Sequence, residues 1–180
     1  MTPVEDIFDV VDESDQVVSR ASRSEVHSRG LIHRAVHIFV FHPDGRLLLQ
    51  LRSARKDKHP RTWDTSCCGH VDSGEDYDTA AQREMAEELG LHPCPSLQWL
   101  AKSPPCEQTG MEFVGIYRTM CAGPFLPCCD EIDELRWIKP EAMEEEFYSE
   151  PGCFAPALPY LWKIYGSMLL GSTTNVTPLI

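Results

Sequence analysis

Three glutamates stand at positions 84, 87 and 88 of the segment DYDTAAQREMAEEL, which fills positions 76–89. The segment is rich in Ala, Glu, Met and Arg, carries Asp at its start and meets Gly90, so it predicts a helix of about three to four turns. At about 100° per residue, Glu84, Glu87 and Glu88 fall at roughly 0°, −60° and +40°, inside one arc of about 100°. Like charges at this spacing repel by a few tenths of a kcal/mol per pair, and the stripe therefore looks for a cation. Ala80, Ala81, Met85 and Leu89 lie to another side, which lets the helix pack while it presents the acids. Carboxylate oxygens suit hard divalent ions, and a site that leaves positions for water and phosphate oxygens is characteristic of magnesium.

The rest of the chain fits a single mixed domain spanning 1–180, with 42% hydrophobic residues to fill one core. A net charge of −12 repels a phosphate backbone, so nucleic acid is not expected as a partner. The opening MTPVEDIFDV has neither the basic start nor the apolar centre of a secretory leader. No apolar run is long enough for a bilayer, and the expectation is a cytoplasmic protein with no membrane partner. Eight cysteines occur without a C-x-x-C pair, which disfavours a zinc ribbon or a disulfide framework.

Residues 7–20 read as a short hairpin, followed by a polar segment, RSEVHSRG. AVHIFVF and RLLLQLR flank a Pro-Asp-Gly turn and form the clearest hairpin. Arg52, Arg55, Lys56, Lys58 and Arg61 then concentrate positive charge in an acidic chain, either as a solvated loop or as a surface for an anion. SLQWLA, EFVGIYRTMC and ELRWIK read as further strands, and EAMEEEFY and PYLWKIYGSMLL as closing helices, with the acids of 141–146 on a solvated face. Trp63, Trp99, Phe113, Tyr117 and Trp137 either stack on a base or fill the core, and most are read as core. The fold class is α/β with mixed rather than strictly alternating elements.

Gly69, Glu75 and the run Arg83-Glu84-Met85-Ala86-Glu87-Glu88-Leu89-Gly90-Leu91 resemble the Nudix box, G-x5-E-x7-R-E-U-x-E-E-x-G-U with U apolar, at every fixed position. The resemblance implies the Nudix fold, a mixed sheet between helices, over most of the chain. It implies that Glu84, Glu87 and Glu88 hold Mg²⁺ or Mn²⁺, that Arg83 orients the acids and that Glu75 supports the loop. It further implies hydrolysis of a small-molecule diphosphate, such as a nucleoside diphosphate linked to another group, with the basic loop before Trp63 meeting the substrate. A base from outside the box is expected, with Glu112, Glu131 and Glu134 as candidates. Homodimers are common among such relatives.

The run WDTSCCGHV, together with His27, His33 and Glu112, also resembles isopentenyl diphosphate isomerase, a member of the same superfamily. That resemblance would make Cys68 and Glu112 the acid–base pair, with His27, His33 and His70 as metal ligands. The isomerase usually carries a degenerate box, whereas here the box is complete. It also carries a further ligand glutamate where this chain has Gly110. Hydrolysis is therefore the preferred reading, with isomerisation as the alternative. A third alternative is a non-catalytic nucleotide-binding sensor, which would be expected to have lost one of the box acids.

Overall fold

The acid-bearing segment forms helix α2 (Tyr77–Leu89) in a computed structural model that describes residues 5–171. Asp76 caps its start by accepting from the Thr79 amide at 2.7 Å. Gly90 ends it at φ 67, where a Cβ would lie 2.7 Å from that of Leu126, so both conformation and space require glycine. Ala80, Ala81, Met85 and Leu89 are fully buried, and each large apolar side chain among them contributes about 1.5–3 kcal/mol.

These residues pack on one face of a mixed sheet. Its strands are β3 (His33–Phe41), β4 (Leu47–Arg52), β5 (Trp63–Asp64), β6 (Cys67–His70), β7 (Gln98–Ser103), β8 (Glu112–Met120) and β9 (Ile132–Ile138). The order is β5-β4-β3-β8-β7, with β6 also paired to β3 and β9 to β4. Val36, Ile38, Val40 and Leu48 meet α2. Phe39, Phe41, Leu47 and Leu49 point the other way, toward α3 (Pro140–Ser149) and α4 (Ala157–Leu169), where Met143, Leu158, Leu161 and Trp162 complete a second core. The mixed sheet between helices is thus present, and the expected central hairpin is the β3–β4 connection, with Phe41 opposite Leu47.

The segment RSEVHSRG, whose sequence reads only as polar, forms helix α1 (Arg23–Arg29), held by its Ser22 and Gly30 caps and by the buried Val26. It follows a separate hairpin of β1 (Ile7–Val11) and β2 (Val17–Ser22). The acids of α3 are not simply solvated, because Glu144 accepts from the Trp162 indole at 2.7 Å and Glu146 pairs with Arg136 at 2.8 Å. Among the aromatics, Phe113 and Tyr117 are buried, Trp63 and Trp137 are partly buried against the cores, and Trp99 is 42% exposed. All eight cysteines are free thiols.

Candidate functional site

Strand register builds the site. Side chains alternate along β3, so His33, Ala35 and His37 share a face. The parallel β8 sets Glu112 beside His33, while the antiparallel β6 sets His70 beside Ala35 and Cys68 beside His37. This end of the sheet opens into a cavity of about 650 Å³, whose wall includes Glu84, Glu87, Glu88, His27, His70, Glu112 and Cys68.

The acids of α2 enter over Gly69. A Cβ there would stand 2.0 Å from Glu84 Oε1, so the carboxylate occupies the space a side chain would take. Arg83 gathers the acids. It donates to Glu84 Oε1 at 2.7 Å, to Glu87 Oε2 at 3.2 Å, to both oxygens of Glu75 at 3.1 and 2.9 Å, and to the His70 carbonyl at 2.9 Å. Glu88 accepts from the Cys68 amide at 3.0 Å and from Gln50 Nε2 at 3.1 Å. Glu84 and Glu88 are buried, whereas the Glu87 side chain is 60% exposed at the rim.

Burial, reinforced by the charge of Glu88, pushes the Glu84 carboxyl up to about 8. Burial likewise pushes Glu88 up to about 7, against the hydrogen bond from Cys68. Two buried, oxygen-only groups that resist ionising together fit a divalent cation of the magnesium or manganese type.

This electrostatic conflict has a measurable consequence. A carboxyl whose folded pKa exceeds its unfolded value contributes stability that is fully present below pH about 4.5 and is lost as pH rises through the folded pKa. The histidines His27, His37 and His70 are shifted the other way, and they oppose this trend only below their ordinary range. Between about pH 6.5 and 8.5 the acids dominate. We expect the chelator-treated protein to melt roughly 5 °C lower at the upper end, and millimolar Mg²⁺ to abolish the difference, as read by scanning calorimetry. A flat or rising profile in chelator would contradict the assignment.

A second set of candidate ligands lies beside the acids. His27, His33, His70 and Glu112 bring ligand atoms within 4.8 Å of one another. Glu112 Oε1 is 3.2 Å from His70 Nε2 and 3.4 Å from His33 Nε2, and His27 Nε2 is 3.2 Å from His70 Nε2. His33 Nδ1 is 2.9 Å from the Leu31 carbonyl, while its buried Nε2 has no hydrogen-bond partner among the described residues. Burial pushes the Glu112 carboxyl up, but its histidine contacts prevail and hold it well below the usual range. Burial and the neighbouring His70 bring His27 down to about 4. Three imidazoles and a carboxylate fit a transition ion better than magnesium. Phe8, from the opening hairpin, stacks on His70 at 4.5 Å and covers the cluster, a contribution not evident from the sequence.

Of the five basic residues, Arg52, Lys56 and Lys58 line the cavity. Arg55 and Arg61 do not. Arg55 pairs with Asp130 and Arg61 with Asp133, and their side chains are 67% and 66% exposed. The loop turns through positive φ at His59 and Arg61. Among the candidate bases, Glu131 lines the cavity beside Lys56 and Glu112 sits in the histidine cluster, whereas Glu134 is exposed on β9 outside the cavity. Cys68 also faces the cavity, and burial together with Asp64 and Glu88 pushes its thiol well above its ordinary range. His37, Asp64 and Gln50 surround it; sequence reading passed over all three, although His37 is a polar ring inside an otherwise apolar strand.

Residues 31–158 match the NUDIX domain family model. An uncharacterized Nudix hydrolase of Streptomyces coelicolor is 36% identical over 145 residues, covering 79% of this chain and 78% of that protein. An isopentenyl-diphosphate Delta-isomerase of Serratia proteamaculans is 33% identical over 155 residues, covering 84% and 86% respectively. In structure, a hypothetical Nudix protein from Deinococcus radiodurans superimposes with a TM-score of 0.73 at 29% identity, over 80% of this chain and 90% of that one. None of the helices among the described residues is long and apolar enough to cross a membrane.

Proposed function

The chain belongs to the Nudix domain family, and from that premise we propose that it hydrolyses the diphosphate linkage of a small molecule with the help of Mg²⁺ or Mn²⁺. One observation carries this reading: Glu84, Glu87 and Glu88 converge on one side of a cavity that also holds Arg52, Lys56 and Lys58. An ion bound to such acids supplies Lewis acidity, which neutralises phosphate charge and makes water easier to deprotonate. Glu84 and Glu88 would hold it from buried positions and Glu87 from the rim. Arg83 fixes the three acids relative to one another, and Glu75 anchors Arg83 by two hydrogen bonds. Arg52, Lys56 and Lys58 draw the anionic substrate inward and orient it, which converts part of the encounter cost into positioning. Glu131, which lines the cavity beside Lys56, is the carboxylate we assign to take a proton from the attacking water.

The test is release of phosphate or nucleoside monophosphate from a panel of diphosphates, with Mg²⁺, Mn²⁺ or chelator. Metal-dependent turnover of at least one compound is expected, with none in chelator. Absence of hydrolysis across the panel with both metals would remove the reading.

A second reading has its own support, because Cys68 and Glu112 open into the same cavity beside His27 and His70. A thiol and a carboxylate could exchange protons with the allylic carbons of a prenyl diphosphate while the histidine cluster holds an ion. A Cβ at Gly110 would lie 3.6 Å from Glu112 Oε1, so that position borders the cluster but adds no ligand. Interconversion of isopentenyl and dimethylallyl diphosphate, abolished by Cys68→Ala, is the outcome this alternative requires.

A further inference from the structure

Beneath the basic residues, His37, Cys68 and Asp64 each offer one ligand atom, and these atoms lie within 4.8 Å of one another. We propose that they form a separate site for a zinc-class divalent ion, distinct from the carboxylate set of α2 and from the four-residue cluster around His33. The site is compatible with hydrolysis and excludes the isomerase alternative, in which Cys68 is the acid–base group.

The donor set is nitrogen, sulfur and oxygen, the combination that selects zinc over magnesium. Three protein ligands leave a fourth tetrahedral position facing the cavity, the arrangement that catalytic rather than structural zinc sites use. The spacing agrees. With zinc about 2.3 Å from sulfur and about 2.0 Å from oxygen, tetrahedral geometry separates the two ligands by about 3.5 Å. Cys68 Sγ and Asp64 Oδ2 are 3.8 Å apart.

The surrounding hydrogen bonds prepare each ligand for this role. Asp64 Oδ1 accepts from the Thr65 amide at 2.8 Å, which turns Oδ2 toward the sulfur. His37 Nδ1 is 2.9 Å from the Thr65 hydroxyl, which itself reaches the Cys67 carbonyl as a donor at 3.5 Å. With Nδ1 engaged by the Thr65 hydroxyl, Nε2 is the ring nitrogen left for a metal. All three residues belong to strands of the central sheet, His37 and Cys68 as direct partners across β3 and β6. Rigid elements hold such ligands better than loops do.

Arg52 is the competing occupant. Its Nη1 lies 3.2 Å from Asp64 Oδ2 and 3.8 Å from Cys68 Sγ. A thiolate and a carboxylate together would exceed this one guanidinium by a single negative charge, and Lys56 lines the same cavity, so an ion must displace Arg52 to enter. On metal binding the thiol proton passes to solvent as the sulfur–metal bond forms.

Cobalt(II) is the probe. The chelator-treated full chain is titrated with Co²⁺ while the near-ultraviolet sulfur-to-cobalt charge-transfer band is recorded, a band that ligation by imidazole and carboxylate alone does not produce. Because the cluster around His33 also suits a transition ion, the band is expected by the second equivalent of Co²⁺ in the parent, and Zn²⁺ is expected to displace it. Cys68→Ser should lose the band, and His37→Gln should weaken the apparent affinity by roughly 10–100-fold. Cys67→Ala and His33→Gln should retain it. No band in the parent, or an undiminished band in Cys68→Ser, would overturn the site and leave Asp64–Arg52 as an ion pair only. Should Cys68→Ser fail to fold, alkylation of the parent decides: Zn²⁺ must shield Cys68, and unchanged labelling of that thiol would equally overturn the proposal.

Discussion

Glu88→Gln is expected to lower metal-dependent diphosphate hydrolysis roughly a thousand-fold and, in chelator at about pH 8.5, to raise the melting temperature of the protein. The two effects share one cause. Glu88 is buried beneath Cys68, and its carboxyl is pushed up to about 7 first of all by burial. Its charge also opposes ionisation of Glu84. The amide keeps an oxygen to accept from the Cys68 N–H and Gln50, so the local bonds survive while the buried charge disappears. Catalysis loses a negative ligand, and a metal's contribution of several kcal/mol corresponds to the stated loss. Initial rates at saturating Mg²⁺ and calorimetric melting in chelator measure the two effects. Turnover within threefold of the parent would show that Glu88 does not serve the ion. Lower stability than the parent would show that its charge is compensated in some other way.

Such an opposition between activity and stability would mark the acids as functional rather than structural groups. Arg83 alone cannot neutralise them, because it divides its hydrogen bonds among Glu75, Glu84, Glu87 and the His70 carbonyl. The histidine cluster shows the same economy in another form. Glu112 is the lone carboxylate among three imidazoles, and His33 Nε2 is buried with no hydrogen-bond partner among the described residues. Two chemically distinct sets of donors therefore border one cavity, oxygen-only on the α2 side and nitrogen-rich on the β3 side.

Much of this was legible from the sequence because the signals are local. The helix at 77–89 follows from its composition, its Asp76 cap and Gly90, and the β3–β4 hairpin follows from two apolar runs about a Pro-Asp-Gly turn. Helix α1 was not legible. Its seven residues bury only Val26, so no apolar period appears, and the element depends on its two caps and on packing against the first hairpin. His37 was passed over for a different reason. Its neighbours Cys68 and Asp64 arrive from β6 and β5, and pairing between strands some thirty residues apart leaves no periodic trace in the chain. Similarly, the charge run between Arg52 and Arg61 reads as one patch, yet Arg55 and Arg61 pair outward with Asp130 and Asp133 while Arg52, Lys56 and Lys58 line the cavity. Composition measures how much charge a loop carries and is silent about which side chains face inward.

Gly69→Ala provides the sharpest separation of site from scaffold. A methyl group at this position would fall 2.0 Å from Glu84 Oε1, 2.1 Å from Cδ and 2.5 Å from Oε2. These atoms are the far end of a flexible side chain, so the methyl displaces the carboxylate rather than the backbone. The residue lies within β6, outside the left-handed region, and alanine suits its backbone conformation. Folding is therefore expected to survive, with a melting temperature within roughly 3 °C of the parent, a shift corresponding to about 1 kcal/mol in a chain of this size. Catalysis is expected to fall at least about a hundred-fold, since even a 1 Å misplacement of a positioned group has that effect. Arg83 would follow the displaced acid, because its Nη1 is shared between Glu84 and Glu87. Steady-state rates over a range of Mg²⁺ concentrations should then show weaker metal dependence as well as a lower maximum. A variant with parental rates would mean that the Glu84 carboxylate can act from another position, and that the close approach over Gly69 is not what brings it to the metal.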